Sequence, residues 1–134
     1  IDYFNHASGL LGVSGSSADI RELLKREAEG DPHAHAALEL YAYQIKKYVG
    51  AYVAVLGGVD MLVFTGTVGE RSAPIRKRIA EGLGYFGIVL DSVKNENCFE
   101  RDMLLQAPGA AVQIAVVCSR EMDELARLTQ VLHH

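Results

Sequence analysis

The stretch MLVFTGTVGERSAP, Met61 to Pro74, decides how the rest of the chain is read. Met61 to Phe64 is a continuous apolar run, too short for a helix and rich enough in branched and aromatic side chains to predict a buried strand. Gly66 and Gly69 then allow backbone angles or close approaches that a Cβ forbids. Ser72 suits an N-cap, Pro74 suits a first helical turn, and Ile75, Ile79 and Leu83 repeat at helical spacing, so a helix is expected over about 73–83. Strand, glycine turn and helix form the unit in which α/β proteins place a ligand beyond the carboxyl end of a strand, although many such turns only reverse the chain. A phosphate-binding P-loop is excluded because no Gly-Lys-Ser/Thr follows, and the dinucleotide fingerprint fails on glycine spacing.

The surrounding chain fits one domain. Its 134 residues suffice for a single core, and 49% hydrophobic with 22% charged residues is a soluble globular composition. Net charge is −4 with Lys and Arg dispersed among acids, which argues against a nucleic-acid partner. No apolar run reaches membrane-spanning length and no signal-peptide pattern opens the chain, so the expected setting is the cytoplasm. Cys98 and Cys118 are too few and too far apart for a disulfide scaffold or a zinc site. Ile1 without an initiator Met suggests a piece of a longer protein, and His133-His134 reads as the stub of a tag.

Outward from the central stretch, residues 9–17 (GLLGVSGSS) read as a glycine- and serine-rich loop or hairpin tip. Ser16 with Asp19 fits a capping box ahead of a helix over about 18–29. Gly30-Asp31-Pro32 stops that helix and starts a longer one. Leu38, Tyr41, Ile45, Tyr48 and Tyr52 share its apolar stripe, widened by Ala42, Val49, Val53 and Leu56, and Gly50 predicts a close neighbouring backbone. Gly57-Gly58 ends it. A second short strand is expected at Ile88 to Leu90, an irregular polar segment over 91–109, the strongest strand at Val112 to Cys118, and a last helix from Glu121 to about Val131. Alternating strands and helices predict an α/β domain with a thin, partly parallel sheet. His33 and His35 lie two apart and do not share a helical face as a metal pair would, and Ser14, Ser16 and Ser17 form no nucleophile elbow.

Three stretches in one order and spacing resemble the acetate and propionate kinases of the sugar-kinase, Hsp70 and actin superfamily: SGLLGVSGSSADIREL, YAYQIKKYVGAYVAVLGGVDMLVFTGTVGERSAPIR and SREMDELARLT. The similarity spans nearly the whole chain but only the later part of that family's carboxyl-terminal domain. It therefore implies that residues 1–134 are a partial nucleotide-binding domain of ribonuclease H-like fold with a short, mostly parallel sheet. It implies an adenosine site at Thr67, Val68, Gly69, Glu70 and Arg71, where the family reads Gly-Ile-Gly-Glu-Asn. Thr67 in place of Gly restricts backbone approach, and Arg71 in place of Asn exchanges a donor-acceptor amide for a donor-only cation. A second wall is implied at Asp19, Ile20 and Arg21: an acceptor for ribose hydroxyls, an apolar surface for the base and a planar guanidinium to stack on it. From the residues alone, a helix cap, a core position and a solvated charge are the commoner readings of these three, and it is the resemblance that favours the nucleotide wall.

Glu121 matches the family's magnesium-associated carboxylate, although an acid in a first helical turn after the N-cap candidate Ser119 is also favourable in itself. Arg120, where the family commonly has Asn, sets a cation beside it. The intact protein is thus expected to transfer a phosphoryl group between ATP and a short-chain carboxylate with Mg2+, ADP being the other nucleotide, and to form a homodimer through this domain. No catalytic residue is assigned within this chain, and the isolated piece is expected to be inactive. The alternatives are a standalone α/β module binding a nucleotide or a protein without catalysis, and a structural remnant with a degraded pocket.

Overall fold

A computed structural model describes residues 8–120, and three shorter helices pack against one long helix. In order the elements are α1 (Gly9–Ser14), α2 (Ile20–Ala28), α3 (Pro32–Leu56), β1 (Met61–Phe64), α4 (Gly66–Arg71), α5 (Ala73–Ala80), a 3-10 turn (Gly84–Phe86), α6 (Ser92–Glu96), β2 (Met103–Leu104) and β3 (Gln113–Val116).

Local chemistry starts and stops α3 as the sequence predicts. The Asp31 carboxylate accepts from the His33 and Ala34 amides at 2.9 and 3.2 Å, Pro32 occupies the first turn, and Gly57 closes the helix in the left-handed region at φ 75°. Its stripe is covered along the first half, where Leu38 and Ala42 are buried. Along the second half, Tyr48 and Tyr52 are exposed. At Gly50 the nearest neighbour among the described residues is the tip of the Phe86 ring at 4.0 Å, so none of their backbone closes on it.

The serine-rich segment is a short helix and a turn. Gly9 and Gly15 take positive φ on either side of α1, and the Ser14 hydroxyl accepts from the Ser16 and Ser17 amides while donating to the Ser17 carbonyl at 2.8 Å. Packing of Leu10 on the core holds a six-residue helix that propensity alone would not. The next cap is Asp19 itself, whose Oδ1 accepts from the Arg21 amide at 2.8 Å. Ser16 makes no capping bond, because α2 begins at Ile20.

The sheet has order β1-β3-β2. β1 runs parallel to β3 over four register positions, Met61↔Gln113 to Phe64↔Val116, and β2 runs antiparallel over two, Met103↔Val116 and Leu104↔Ala115. The expected strand at Ile88 to Leu90 is reduced to a single bridge between Leu90 and Gln106. Gly87 at φ 82° and the helix cap Asp91 leave it too short for a ladder. β1 is buried on one face only: Phe64 is in the core while Met61 and Val63 are exposed, so its continuous apolar run has an uncovered side among the described residues. Leu23, Leu38, Ile75, Ile114 and Val116 lie at the centre of the core. The final helix expected from Glu121 lies outside the described residues.

Candidate functional site: a cleft between two helix starts

The glycine turn after β1 is itself helical. Gly66 enters α4 at φ 72°, and Gly69 seats the helix on the end of the strand, since a Cβ there would stand 3.3 Å from the Phe64 carbonyl carbon. α5 follows at once from Ser72. Pro74 is in its first turn, but the Ser72 hydroxyl makes no capping bond and is buried without a hydrogen-bond partner among the described residues.

The start of α2 and the α4–α5 junction, far apart in the chain, border one cleft of about 640 Å³. Ala18, Asp19, Ile20, Arg21 and Leu24 line one side, Thr67, Val68, Arg71, Ser72 and Pro74 the other, and Phe99 completes it. Six of the sequence-designated residues, Asp19, Ile20, Arg21, Thr67, Val68 and Arg71, are thereby brought together. Gly69 and Glu70 are not on this surface. Gly69 borders a separate cavity of about 430 Å³ beside α3, with Thr67 and Val68 between the two spaces.

Polar groups in the cleft are pre-arranged. Asp19 Oδ2 accepts from Arg21 Nη2 at 2.7 Å, and Oδ1 accepts from Arg21 Nε at 3.2 Å as well as from the amide. The Arg21 side-chain hydrogen bond, with the bond from its amide, holds the Asp19 carboxyl down to about 2. Both lone pairs of Oδ1 are therefore used, and Oδ2 retains one for a ligand hydroxyl. Arg71 is ion-paired with Glu100 at 2.5 Å.

Glu70 points into the protein. Its Oε1 accepts from the Gly66 amide at 2.9 Å and the Ser119 amide at 2.7 Å, tying α4 to the chain that leaves β3. The Ser119 amide is the chief reason its carboxyl is held below the usual range, against a burial effect that raises it. Beside it the Cys118 thiol is pushed up, first by burial and then by the charges of Glu70 and Asp102. Arg120 Nη2 meets Asp102 at 3.3 Å, so this cation already has a carboxylate partner.

The sequence reading missed two residues. Arg76 is fully buried and has no carboxylate partner among the described residues. Its guanidinium donates to Asn95 Oδ1 (2.7 Å) and to the carbonyls of Gly69 (2.8 Å), Glu70 (3.0 Å), Asn95 (2.9 Å) and Cys98 (2.8 Å). It thus fastens the α4 wall to the segment that carries Phe99. Burial pulls its pKa down from the ordinary arginine value. Phe99 is the second, and its signal was a lone aromatic in an otherwise polar segment. A further fastening joins the helices: Arg78 of α5 reaches Glu27 of α2 at 2.5 Å and Glu39 of α3 at 3.1 Å, while His35 Nδ1 lies 2.6 Å from Glu27.

Among the described residues no three His, Cys, Asp or Glu side chains lie together as a metal cluster, and Glu121 lies outside them. None of the described helices is long and apolar enough to cross a membrane.

The profile of the acetokinase family matches residues 2–127, and the chain belongs to that family. It is 44% identical over 128 residues to the acetate kinase of Heliobacterium modesticaldum, covering 96% of this chain and 32% of that protein. The crystal structure of Porphyromonas gingivalis acetate kinase superposes with a TM-score of 0.85 at 42% identity, over 97% of this chain and 33% of the other. A propionate kinase from Francisella tularensis superposes at 0.80 with 34% identity, over 90% of this chain and 30% of the other. The chain thus spans about a third of the length of these relatives, and its fold is the α/β, ribonuclease H-like type that the sequence led us to expect.

Proposed function

We propose that this chain supplies part of the adenosine site of a protein that transfers a phosphoryl group between ATP and a short-chain carboxylate. The observation that carries the proposal is the convergence of the Ile20 and Val68 segments on one cleft. Ile20, Leu24, Val68 and Pro74 offer apolar surface to a base, and the free lone pair of Asp19 Oδ2 suits a ribose hydroxyl. Thr67, standing on the edge of the cleft, limits how deeply the sugar enters.

Phosphoryl transfer asks for positioning and charge neutralisation more than covalent work. In this reading α2, α4 and α5 hold the nucleoside end. Glu70 contributes by fixing the α4 turn and Ser119 rather than by touching the nucleotide, and Gly69 by letting α4 sit close on β1. A Mg2+ ion would be held by the nucleotide phosphates, with Glu121 acting on it through water; one carboxylate plus phosphates suits a hard cation that keeps its hydration. The carboxylate substrate, its acetate or propionate preference, and the groups at the reacting phosphorus belong to the two thirds of the relatives' length that this chain does not span. The exposed faces of α3 and β1 are where we place contacts with the remainder of the protein or with a second copy in a homodimer.

Titrating the chain with ATP and ADP, with and without magnesium, tests the proposal. Saturable binding weakened at least tenfold by Asp19→Asn is expected, and Glu121→Gln should abolish only the magnesium-dependent part. No binding of either nucleotide refutes the adenosine site. Nucleotide binding combined with the absence of acyl phosphate formation by the longer protein favours a non-catalytic module.

A further inference from the structure

Phe99 is a large aromatic side chain 60% exposed to solvent, on the edge of the one cleft that Ile20 and Val68 share. Its backbone is fixed on both sides. Cys98 before it is buried, with its carbonyl held by Arg76 at 2.8 Å and its thiol donating to the Arg101 carbonyl at 3.6 Å. Glu100 after it has φ 47°, the only positive value at a non-glycine among the described residues, in a region where a side chain with a Cβ is disfavoured. From that conformation Glu100 pairs with Arg71 of α4, a cleft-lining residue, at 2.5 Å. An exposed aromatic ring next to a disfavoured backbone angle, latched by an ion pair to a cleft residue, is an arrangement that folding alone does not call for.

We infer that Phe99 is a base-contacting residue of the cleft, and that the Arg71–Glu100 pair is its positioning latch, so that the site selects nucleotides with an aromatic base over polyphosphates without one. The inference rests on the adenosine reading of the cleft. A planar base entering it meets the aliphatic side chains of Ile20 from the α2 side and Val68 from the α4–α5 side, and the Phe99 ring is the aromatic surface in the same lining. Base-on-ring stacking tolerates any base but rewards the larger π-surface, which favours purines. The ion pair is half exposed and adds little stability by itself, so its value is geometric: it keeps the segment carrying Phe99 from swinging away from α4.

The test uses the full chain with ATP, cytidine triphosphate and inorganic tripolyphosphate. Phe99→Ala should weaken ATP about tenfold or more, Phe99→Leu nearly as much, and Phe99→Tyr little, while tripolyphosphate affinity stays constant across the series. Because the chain has no Trp, Phe99→Trp adds a unique fluorophore, and its emission should respond to ATP but not to tripolyphosphate. Glu100→Gly, which relieves the backbone angle, should keep the thermal midpoint while weakening ATP several-fold. If wild type binds ATP and Phe99→Ala binds it equally well, the role of Phe99 is overturned while the adenosine site stands. Unchanged ATP affinity in Glu100→Gly overturns the latch. Failure of wild type to bind ATP overturns the site and the inference together.

Discussion

Replacing Arg76 by Met keeps an aliphatic stem of similar length and removes five hydrogen bonds at once. Four main-chain carbonyls and the Asn95 side-chain oxygen lose a charged donor in a place water does not reach. Hydrogen bonds to a charged group contribute about 1.5–3 kcal/mol each, and a stranded buried acceptor costs about 1–3 kcal/mol. Against this, the wild-type protein carries the several-kcal/mol cost of burying a guanidinium, which the Met variant escapes. The balance is a loss of about 3–5 kcal/mol, the scale seen when one member of a buried charged network is removed. With an unfolding entropy of about 2.1 cal/mol/K per residue over 134 residues, a 4 kcal/mol loss lowers Tm by roughly 14 °C. Arg76→Lys, with three donors in place of five, should fall between the two. Urea unfolding followed by circular dichroism gives the free energies, and ATP titration should show weaker binding because the α4 wall and the Phe99 segment are no longer tied. A stability loss below about 1 kcal/mol, or a gain, would refute the argument that this guanidinium holds the cleft together.

Other consequences follow from the same geometry. Asp19→Asn keeps an N-cap of equal quality, so the helix should survive while nucleotide affinity falls. With the carboxyl held at about 2, Asp19 should contribute no pH dependence to wild-type binding between pH 4 and 8, as calorimetry at several pH values would show. Burial raises the Glu27 carboxyl, but the hydrogen bonds and charges of Arg78 and His35 outweigh it and leave its pKa lowered. A depressed folded pKa gives stability that is complete above the unfolded value of about 4.3 and is lost as pH falls through the folded one. The difference in urea midpoint between wild type and Glu27→Gln should therefore shrink below pH 4. Gly66→Ala places a Cβ at φ 72° and should cost about 1–2 kcal/mol in urea unfolding. Glu70→Ala should speed amide hydrogen exchange at Gly66 and Ser119, the two donors it releases.

The sequence by itself determined what depends on near neighbours. Asp31 and Pro32 start α3 and Gly57 ends it, the apolar run at Met61 to Phe64 is a strand, and Pro74 opens α5, because capping, ring closure and the strand preference of branched and aromatic side chains act over a few residues. Resemblance extended this to the residues of the cleft, six of which the fold brings together. What the tertiary structure alone decided concerns partners distant in the chain. The resemblance implies a place for Glu70 in the adenosine site; the structure adds that its carboxylate accepts from the Ser119 amide, 49 residues away. Arg76 lies next to Ile75 on a helix whose other cations, Lys77 and Arg78, reach solvent or acids, and nothing local distinguishes it. It is buried because α6 and the Cys98 turn close over α5 and present carbonyls to it. The same closure carries Phe99 to the cleft. Residue types and spacings report the forces a segment exerts on itself, whereas the depth of a charge and the neighbour across a cleft are set only when separated segments exclude water from one another.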